Sequence, residues 1–548
     1  MRATIMALLF ASTVADARPR VAQNTDRDQQ NPDRDQQDQD QDRPEQGDGP
    51  EASAILPIKL DDLVEVAIRL APDASRAKID RQVAKNLADG ERRTQAWVLT
   101  SNGEYKRYAL AENVDAPAFS VVATDKLSGS VGVGRNLPTG GNFSLEAGLS
   151  RERSEYLIDT SRLRDTIAAM SPAGTSPTGD PYDYLLRNTA SLRATLKQPL
   201  SRGFGPKVAL APITKADLAA TEATIKAQLA TEELLRDVVI AYWDLALASF
   251  QVDVRAQSLD LAQKQDQLTH DQIRAGAAPS NAANAVTYEI AKRQDELLKA
   301  QLDLEAKSLE LRRKSGLELG RRDVALRPAE PFAIGEDEFD VDEILERSHA
   351  ANRKLASLQL EKKIADVEIA VARDQTKPQL DLTFSGAIMG NGEGSSEAIG
   401  SLGGADSYEV TVGLQLQFEL SGAARKNHDA AIIKKNKLEV DRADLERQID
   451  VAVVNAVHMV SSARTRVGLA EKAIIVAEEN VRAERASFMA ARTTNFQVMQ
   501  RQTELIEARM RRGVAVADYH KAVAQLQFLS GLILPQYRVN VKPRGERR

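Results

Sequence analysis

Residues 407–422 read SYEVTVGLQLQFELSG. Tyr408, Val410, Val412, Leu414, Leu416, Phe418 and Leu420 fall on one face of an extended strand, and Glu409, Thr411, Gly413, Gln415, Gln417 and Glu419 fall on the other. A ribbon of this length leaves a row of unpaired backbone groups and an apolar face, each of which needs a partner or a lipid. Most of the remaining chain carries helical periodicity, so the fold turns on what covers this ribbon.

Three further segments alternate in the same way. NFSLEAGLSR (142–151) aligns Phe143, Leu145, Ala147 and Leu149; SLRATLKQ (191–198) aligns Leu192, Ala194 and Leu196; QLDLTFSGAI (379–388) aligns Leu380, Leu382, Phe384 and Gly386. Around ten residues is the length of a tilted strand that crosses a bilayer with its apolar side outward and its polar side on a lumen. A soluble antiparallel sheet packed on helices fits the same alternation, so the strands alone leave both architectures open.

The helices carry a heptad seam. Ile449, Val453, Ala456, Val460, Ala463, Val467, Ala470, Ile474, Ala477 and Val481 follow one another at spacings of four and three. The seam occurs earlier, displaced by 215 residues, as Val238, Ala241, Leu245, Ala248, Val252, Leu259 and Ala262; RRKSG ending at Gly316 then matches QFLSG ending at Gly531. At a displacement of 281, the segment from Leu60 matches that from Val341. The chain reads as an internal duplication. A helix from Pro212 to Ala275 would be roughly 96 Å long at 1.5 Å per residue.

The duplication organises the chain. A first repeat spans 58–320, with strands near 143–151 and 190–198 and a helical hairpin at 212–319. A linker at 321–340 leads to a second repeat at 341–535, with strands near 379–388 and 408–420 and a hairpin at 423–534. The first repeat is longer, mostly through Leu87–Asn142 and Tyr156–Leu186. The former contains WVLTSNGEYKRYAL and reads as a small added element near the equator or surface of the molecule.

The termini bear on compartment. Arg2, the apolar run ATIMALLFAST and the small-x-small triplet at Ala15–Ala17 form an export signal over residues 1–17. Residues 18–57, rich in Asp and Gln, read as a disordered linker, and 536–548 as a basic tail. The chain has no cysteine, which excludes disulfides, zinc-thiolate sites and an N-terminal lipidated cysteine. Its formal charge of -6 offers no basic face for nucleic acid. No apolar run in the mature chain reaches 18 residues, so a membrane could be crossed only by a closed barrel.

Catalytic constellations are thin. His270, His349, His428, His458 and His520 are scattered without metal-ligand spacing, and the carboxylates sit on polar helix faces. GFGPK (203–207) lacks the spacing of a phosphate loop and reads as a bend, with two permissive glycines and Pro206 opening a helix. Neither an enzyme nor a cofactor site is expected.

QPLSRGFG (198–205), RDVVIAYWDLALA (236–248), the hairpin end KSGLELG, KPQLDLTFSG (377–386) and the hairpin end LSGLIL, in that order within a duplicated pattern, resemble the TolC-type outer membrane efflux proteins over about residues 58–535. The resemblance implies a mainly α fold with membrane β: a trimeric 12-stranded β-barrel in the outer membrane, four strands per protomer, continued by a long periplasmic α-helical barrel. It further implies a passive conduit for efflux or type I secretion, a homotrimer embedded in outer-membrane lipid and served by a periplasmic adaptor and an inner-membrane pump. Tyr408, Val410, Val412, Leu414, Leu416 and Phe418 would then meet lipid. A soluble periplasmic coiled-coil stalk is the alternative.

In that family the hairpin turns form the periplasmic tip, where an apolar residue, a Gly and two Asp recur at fixed spacing. Here Ile273 and Gly276 match, but Ala282 stands at the Asp position; Phe488 matches, with Ala491 for the Gly and Gln497 and Gln500 for the two Asp. Glutamines offer dipoles where carboxylates would draw cations. The expected constriction therefore involves Phe488, Arg492, Phe496, Gln497, Gln500 and Ala282, and the adaptor-docking tip Arg274, Gly276, Ala277 and Ala491.

Overall fold

A computed structural model describes residues 54–109, 119–158, 182–277, 279–318, 324–335, 338–490 and 492–537. The expected signal peptide, most of the 18–57 tract, nearly all of the basic tail and Ala491 lie outside these residues. In chain order the elements are β1 (Ala54–Ile58), α1 (Leu60–Leu70), α2 (Pro72–Arg93), β2 (Val98–Ala109), β3 (Phe119–Asn136), β4 (Asn142–Ile158) and β5 (Tyr182–Pro199). A short α3 (Pro206–Ala209) precedes the long α4 (Ala211–Arg274) and α5 (Ala282–Ser315). The second half supplies β6 (Val324–Pro328), α6 (Val341–Ala351), α7 (Arg353–Gln375), β7 (Gln379–Gly392), α8 (Ser395–Ser401), β8 (Ser407–Gln417), α9 (Ala423–Met489), α10 (Asn495–Leu529) and α11 (Ile533–Gln536).

The duplication is visible element by element. α1 and α2 recur as α6 and α7 at the 281-residue displacement, and α4 and α9 end at Arg274 and Met489, 215 residues apart. The heptad seam of α9 is buried at Val453, Ala456, Val460, Ala463, Val467, Ala470, Ala477 and Val481, against the apolar face of α10. In α4 the seam drifts. Below Ala248 the buried stripe is Val254, Ser258, Ala262, Gln265 and Thr269, while Val252 and Leu259 are only half-buried. A straight helix rotates against a strict heptad, and α4 packs on α2 and α7 as well as on α5 and α10, so no single stripe serves its whole length.

The main core lies at mid-helix. Leu63 and Val64 of α1, Leu235, Val238, Tyr242 and Leu245 of α4, Leu311 of α5 and Ile533 of α11 pack together there. The reading of 18–57 as disordered is corrected at its end: β1 pairs in parallel with β6, which itself lies within the expected 321–340 linker. The pairing is tied to the core by the Tyr242 hydroxyl, which donates to the Ile58 carbonyl at 3.3 Å, and by Leu60 N, which donates to Glu330 Oε1 at 2.7 Å. Two segments that look structureless in isolation thus satisfy each other's backbone groups.

β2 to β5, β7 and β8 form one antiparallel sheet in the order β2-β3-β4-β5-β7-β8. Four of these strands are the expected ones. β2 and β3 come from the 87–142 segment, which is therefore neither an equatorial nor a separate surface element but the flank of the sheet. The strand of the opening stretch stops at Gln417, leaving Phe418 and Leu420 exposed beyond it. At the helical end of the sheet, the GFGP bend uses Gly203 at φ +83° and Gly205 at φ +96°, and Pro206 opens α3. The β3–β4 turn presses on this bend so closely that a Cβ at Gly140 would lie 2.0 Å from the Gly203 carbonyl oxygen.

Candidate functional site

The register of the sheet determines which side chains share a face. Leu99, Val133, Leu145, Ala194, Gly386 and Val410 are successive cross-strand partners from β2 to β8. The next same-face row, two residues on, runs through Val131, Ala147, Leu192, Ile388 and Tyr408. β3, β4, β5, β7 and β8 therefore carry one apolar face through both rows, which β2 joins at Leu99 and continues with the small residue Ser101; most of its large side chains are exposed, Leu99 at 71% and Val412 at 67%. Tyr408, Val410, Val412, Leu414 and Leu416 all lie on it, as the alternation predicts.

The opposite face is polar and cross-linked. The Arg193 guanidinium donates to Glu409 Oε2 at 3.0 Å and to Ser385 Oγ at 3.3 Å, spanning three strands. Lys197 pairs with Asp381 at 3.1 Å and Lys126 with Glu152 at 3.7 Å. Such a surface is at home beside water. At the end where the helices join, Trp97 meets Phe143 edge to face at 6.2 Å, and the Arg135 guanidinium lies 5.5 Å from the indole centroid. An amphipathic aromatic and a cation at the rim of an apolar band match the anchoring chemistry of a membrane interface. Among the described residues no helix is long and apolar enough to cross a membrane.

The four long helices lie side by side in the order α5-α4-α10-α9. The two outer helices expose apolar side chains: Tyr288, Leu302 and Leu309 on α5 at multiples of seven, and on α9 two pairs seven apart, Ile433 with Val440 and Leu469 with Val476. The helical layer, like the sheet, ends in edges that are unsatisfied within one chain.

At the far end the two hairpin turns meet. Gln272 Nε2 donates to the Phe488 carbonyl oxygen at 3.0 Å, joining the end of α4 to the end of α9. Arg492, Phe496, Gln497 and Gln500 are exposed on the second turn, with Phe496 67% accessible, and Ala282 is half-buried on the first. Phe488 differs: it is buried at 5%, packed into the hairpin end and turned away from solvent. Arg274, Gly276 and Ala277 are exposed at the first turn, where Arg274 is held by Asp271 and Gly276 takes φ +73°.

Just behind the turns lies a polar seam that the sequence pattern did not reveal. Asn495 Oδ1 accepts from Gln265 Nε2 at 2.7 Å and from Thr269 Oγ1 at 3.1 Å; two turns further, Arg293 Nη1 donates to Gln502 Oε1 at 3.1 Å and to the Ser258 carbonyl at 2.9 Å. Gln265, Thr269 and Gln502 are fully buried and Arg293 nearly so. Gln265 Oε1, Gln502 Nε2 and Arg293 Nη2 are buried without a partner among the described residues. Polar residues in the helix seam were the available signal, but spacing rules that count only apolar positions pass over them.

His520, half-buried, packs on an aromatic ring. Its ring stacks on Trp243 with centroids 3.5 Å apart and planes 2° apart, and its Nε2–H donates to the Ala333 carbonyl at 2.7 Å. Burial holds its pKa below the ordinary value, opposed by that hydrogen bond. His458, which occupies the position equivalent to Trp243, is exposed on α9.

Residues 344–532 match the family described as outer membrane efflux protein. No curated protein sequence matches the chain at a significant level. Among solved structures, the chain is similar to the CmeC outer membrane channel of Campylobacter jejuni, with a TM-score of 0.62 and 12% identity over 86% of this chain and 85% of that one. It is similar to the outer membrane protein VceC of Vibrio cholerae, with a TM-score of 0.60 and 14% identity over 86% and 96% of the two chains. It is also similar to the open-state MtrE outer membrane channel of Neisseria gonorrhoeae, with a TM-score of 0.60 and 13% identity over 86% and 88%. At such identities the likeness is one of fold.

Proposed function

We propose that this chain, whose residues 344–532 match the outer membrane efflux protein family, is the subunit of an outer-membrane conduit leading from the periplasm to the exterior. The observation that carries this reading is the apolar face held in register across β3, β4, β5, β7 and β8 and joined by β2 at Leu99, backed by a polar face braced by Arg193, Glu409, Lys197 and Asp381. A sheet with one greasy and one wet side, exposed over this extent, suits lipid outside and water inside. A soluble stalk would leave that face in water with nothing to cover it.

Copies of the same chain supply what one chain lacks. A sheet with two free edges in lipid must close, because every backbone N–H and C=O in the hydrocarbon needs a partner. The exposed apolar side chains of α5 and α9 face opposite ways from the four-helix layer, so one copy's α9 can pack on the next copy's α5. Three copies, the family's number, form the assembly. The subunit is a passive pore, not a catalyst, and energy enters from an inner-membrane pump through a periplasmic adaptor that docks at the exposed tip, Arg274, Gly276 and Ala277. The constriction involves Arg492, Phe496, Gln497 and Gln500 on the second turn, and the aperture there is set by how firmly Asn495 holds α10 to α4. Phe488, buried in the hairpin end, contributes packing.

Fractionation and conductance test the reading. The mature protein should sediment with outer membranes, resist extraction by high salt, migrate as a heat-dissociable trimer and form pores in a planar lipid film. A freely soluble monomer that conducts nothing would overturn it.

A further inference from the structure

We propose that three copies of this chain close an eighteen-stranded barrel, with β2 of each copy paired to β8 of the next, in place of the twelve strands that the family pattern implies. The inference rests on the trimeric-conduit reading and concerns which edges meet.

A twelve-stranded closure needs β4 and β8 as the free edges of each copy. In this chain the edge of β4 is already taken: β3 pairs with it from Asn136↔Asn142 to Phe119↔Ile158, with one irregularity between Val121 and Ala123. β2 then pairs with β3 over twelve residues, from Val98↔Gly134 to Ala109↔Ala123. The free edges are β2 and β8.

Those two edges suit each other. β2 has 12 residues and β8 has 11. β2 leaves the helical end of the sheet and β8 returns to it, so a β2–β8 contact between copies is antiparallel, as is every contact within the sheet. Neither strand contains proline or a bulge, two of the devices that blunt an exposed edge, and the charged residues of β2, Glu104, Lys106 and Arg107, are confined to its half farther from the helices. Over its helical half the β2–β3 hairpin also continues the sheet's two-sidedness: Leu99, Leu127, Val131 and Val133 share the apolar face with Leu145 and Leu149, the charged Arg107, Asp125, Arg151 and Arg153 following only toward the far end, while Lys126 reaches across the polar face to Glu152. A hairpin built to lie outside the membrane would have no reason to keep that register.

Cysteine pairing in the full-length trimer tests the closure, because the chain has no cysteine of its own. Leu99→Cys or Ser101→Cys would be combined with Val410→Cys, Val412→Cys, Leu414→Cys or Leu416→Cys, and Leu145→Cys or Ala147→Cys with the same β8 set. After oxidation and denaturation, the β2–β8 set is expected to yield covalent dimers and trimers at one register, and the β4–β8 set none. Cross-links in the β4–β8 set, or none in either set while the heat-dissociable trimer is intact, overturn the eighteen-stranded closure and leave the conduit reading standing. A wild-type protein that never forms an outer-membrane trimer defeats the conduit reading itself. Electron cryo-microscopy of the unmodified trimer is the independent arm: eighteen staves are expected, and twelve refute the proposal.

Discussion

Gly316 and Gly531 are equivalent in space as well as in sequence: each follows the second helix of its hairpin in a left-handed turn, at φ +73° and +68°, and each is pressed against the end of the first helix of its own repeat. A Cβ at Gly316 would meet the Leu70 carbonyl oxygen at 2.5 Å, and one at Gly531 would meet the Ala351 methyl at 2.7 Å. The left-handed conformation alone costs a non-glycine residue about 1–2 kcal/mol. Gly316→Ala should cost more than that, because backbone cannot step aside, and should lower the dissociation temperature of the trimer more than Gly531→Ala does. Ala351→Gly should recover part of the loss in Gly531→Ala. Equal losses at the two glycines, with no recovery, would show that these contacts do not set the cost.

The two faces of β8 make opposite predictions for one substitution. Val412→Arg places a cation on the apolar face and should cost about 2–4 kcal/mol near the bilayer midplane, whereas Thr411→Arg points to the polar face and should be tolerated. Yield of folded, heat-dissociable protein from outer membranes reports the difference. Equal tolerance at both positions would mean that the apolar face of β8 does not meet lipid.

The duplication and the four expected strands were legible because each depends on a strict period: two for Tyr408 to Leu416, and alternating four and three for Val453 to Val481. β2 was not. Its apolar face carries Leu99, Ser101, Gly103 and Tyr105 and its other face Thr100, Asn102, Glu104 and Lys106, a contrast too weak for alternation to show until β3 fixes the register. β1 and β6 were missed for a different reason, since five-residue strands carry little pattern and their pairing spans the whole first repeat. The Gln265–Asn495 contact joins the two repeats across 230 residues, and nothing local announces it.

His520 gives the equator a pH dependence. Its folded-state pKa lies below the ordinary 6.5, so the unfolded chain binds the proton more readily. The neutral ring's contribution is intact above about pH 6.5 and is lost as pH falls through the depressed folded value. His520→Phe keeps a ring to stack on Trp243 but cannot titrate. The stability difference between wild type and this variant, followed by thermal dissociation, should shift against wild type on acidification below about pH 6.5 and stay flat above it. A difference that is constant with pH would place the His520 titration elsewhere.

Asn495 holds the two hairpins together behind their turns with a single acceptor oxygen that serves two donors, Gln265 Nε2 and Thr269 Oγ1. Asn495→Ala removes that oxygen and leaves the Gln265 amide buried without it, at a cost of about 1–3 kcal/mol for the orphaned group. Thr269 is less affected, because its single hydroxyl hydrogen has the Gln265 carbonyl as an alternative acceptor at 2.7 Å. Replacing both partners, Gln265→Leu with Asn495→Leu, removes the polar groups together and should recover much of the stability. The pore should respond differently from the fold. If the contact between α4 and α10 restrains the aperture, Asn495→Ala should raise single-channel conductance in a planar film, and the double variant should restore stability with conductance set by the new apolar contact. An Asn495→Ala protein as stable as wild type, with unchanged conductance, would mean that this seam neither fastens the hairpins nor limits the opening.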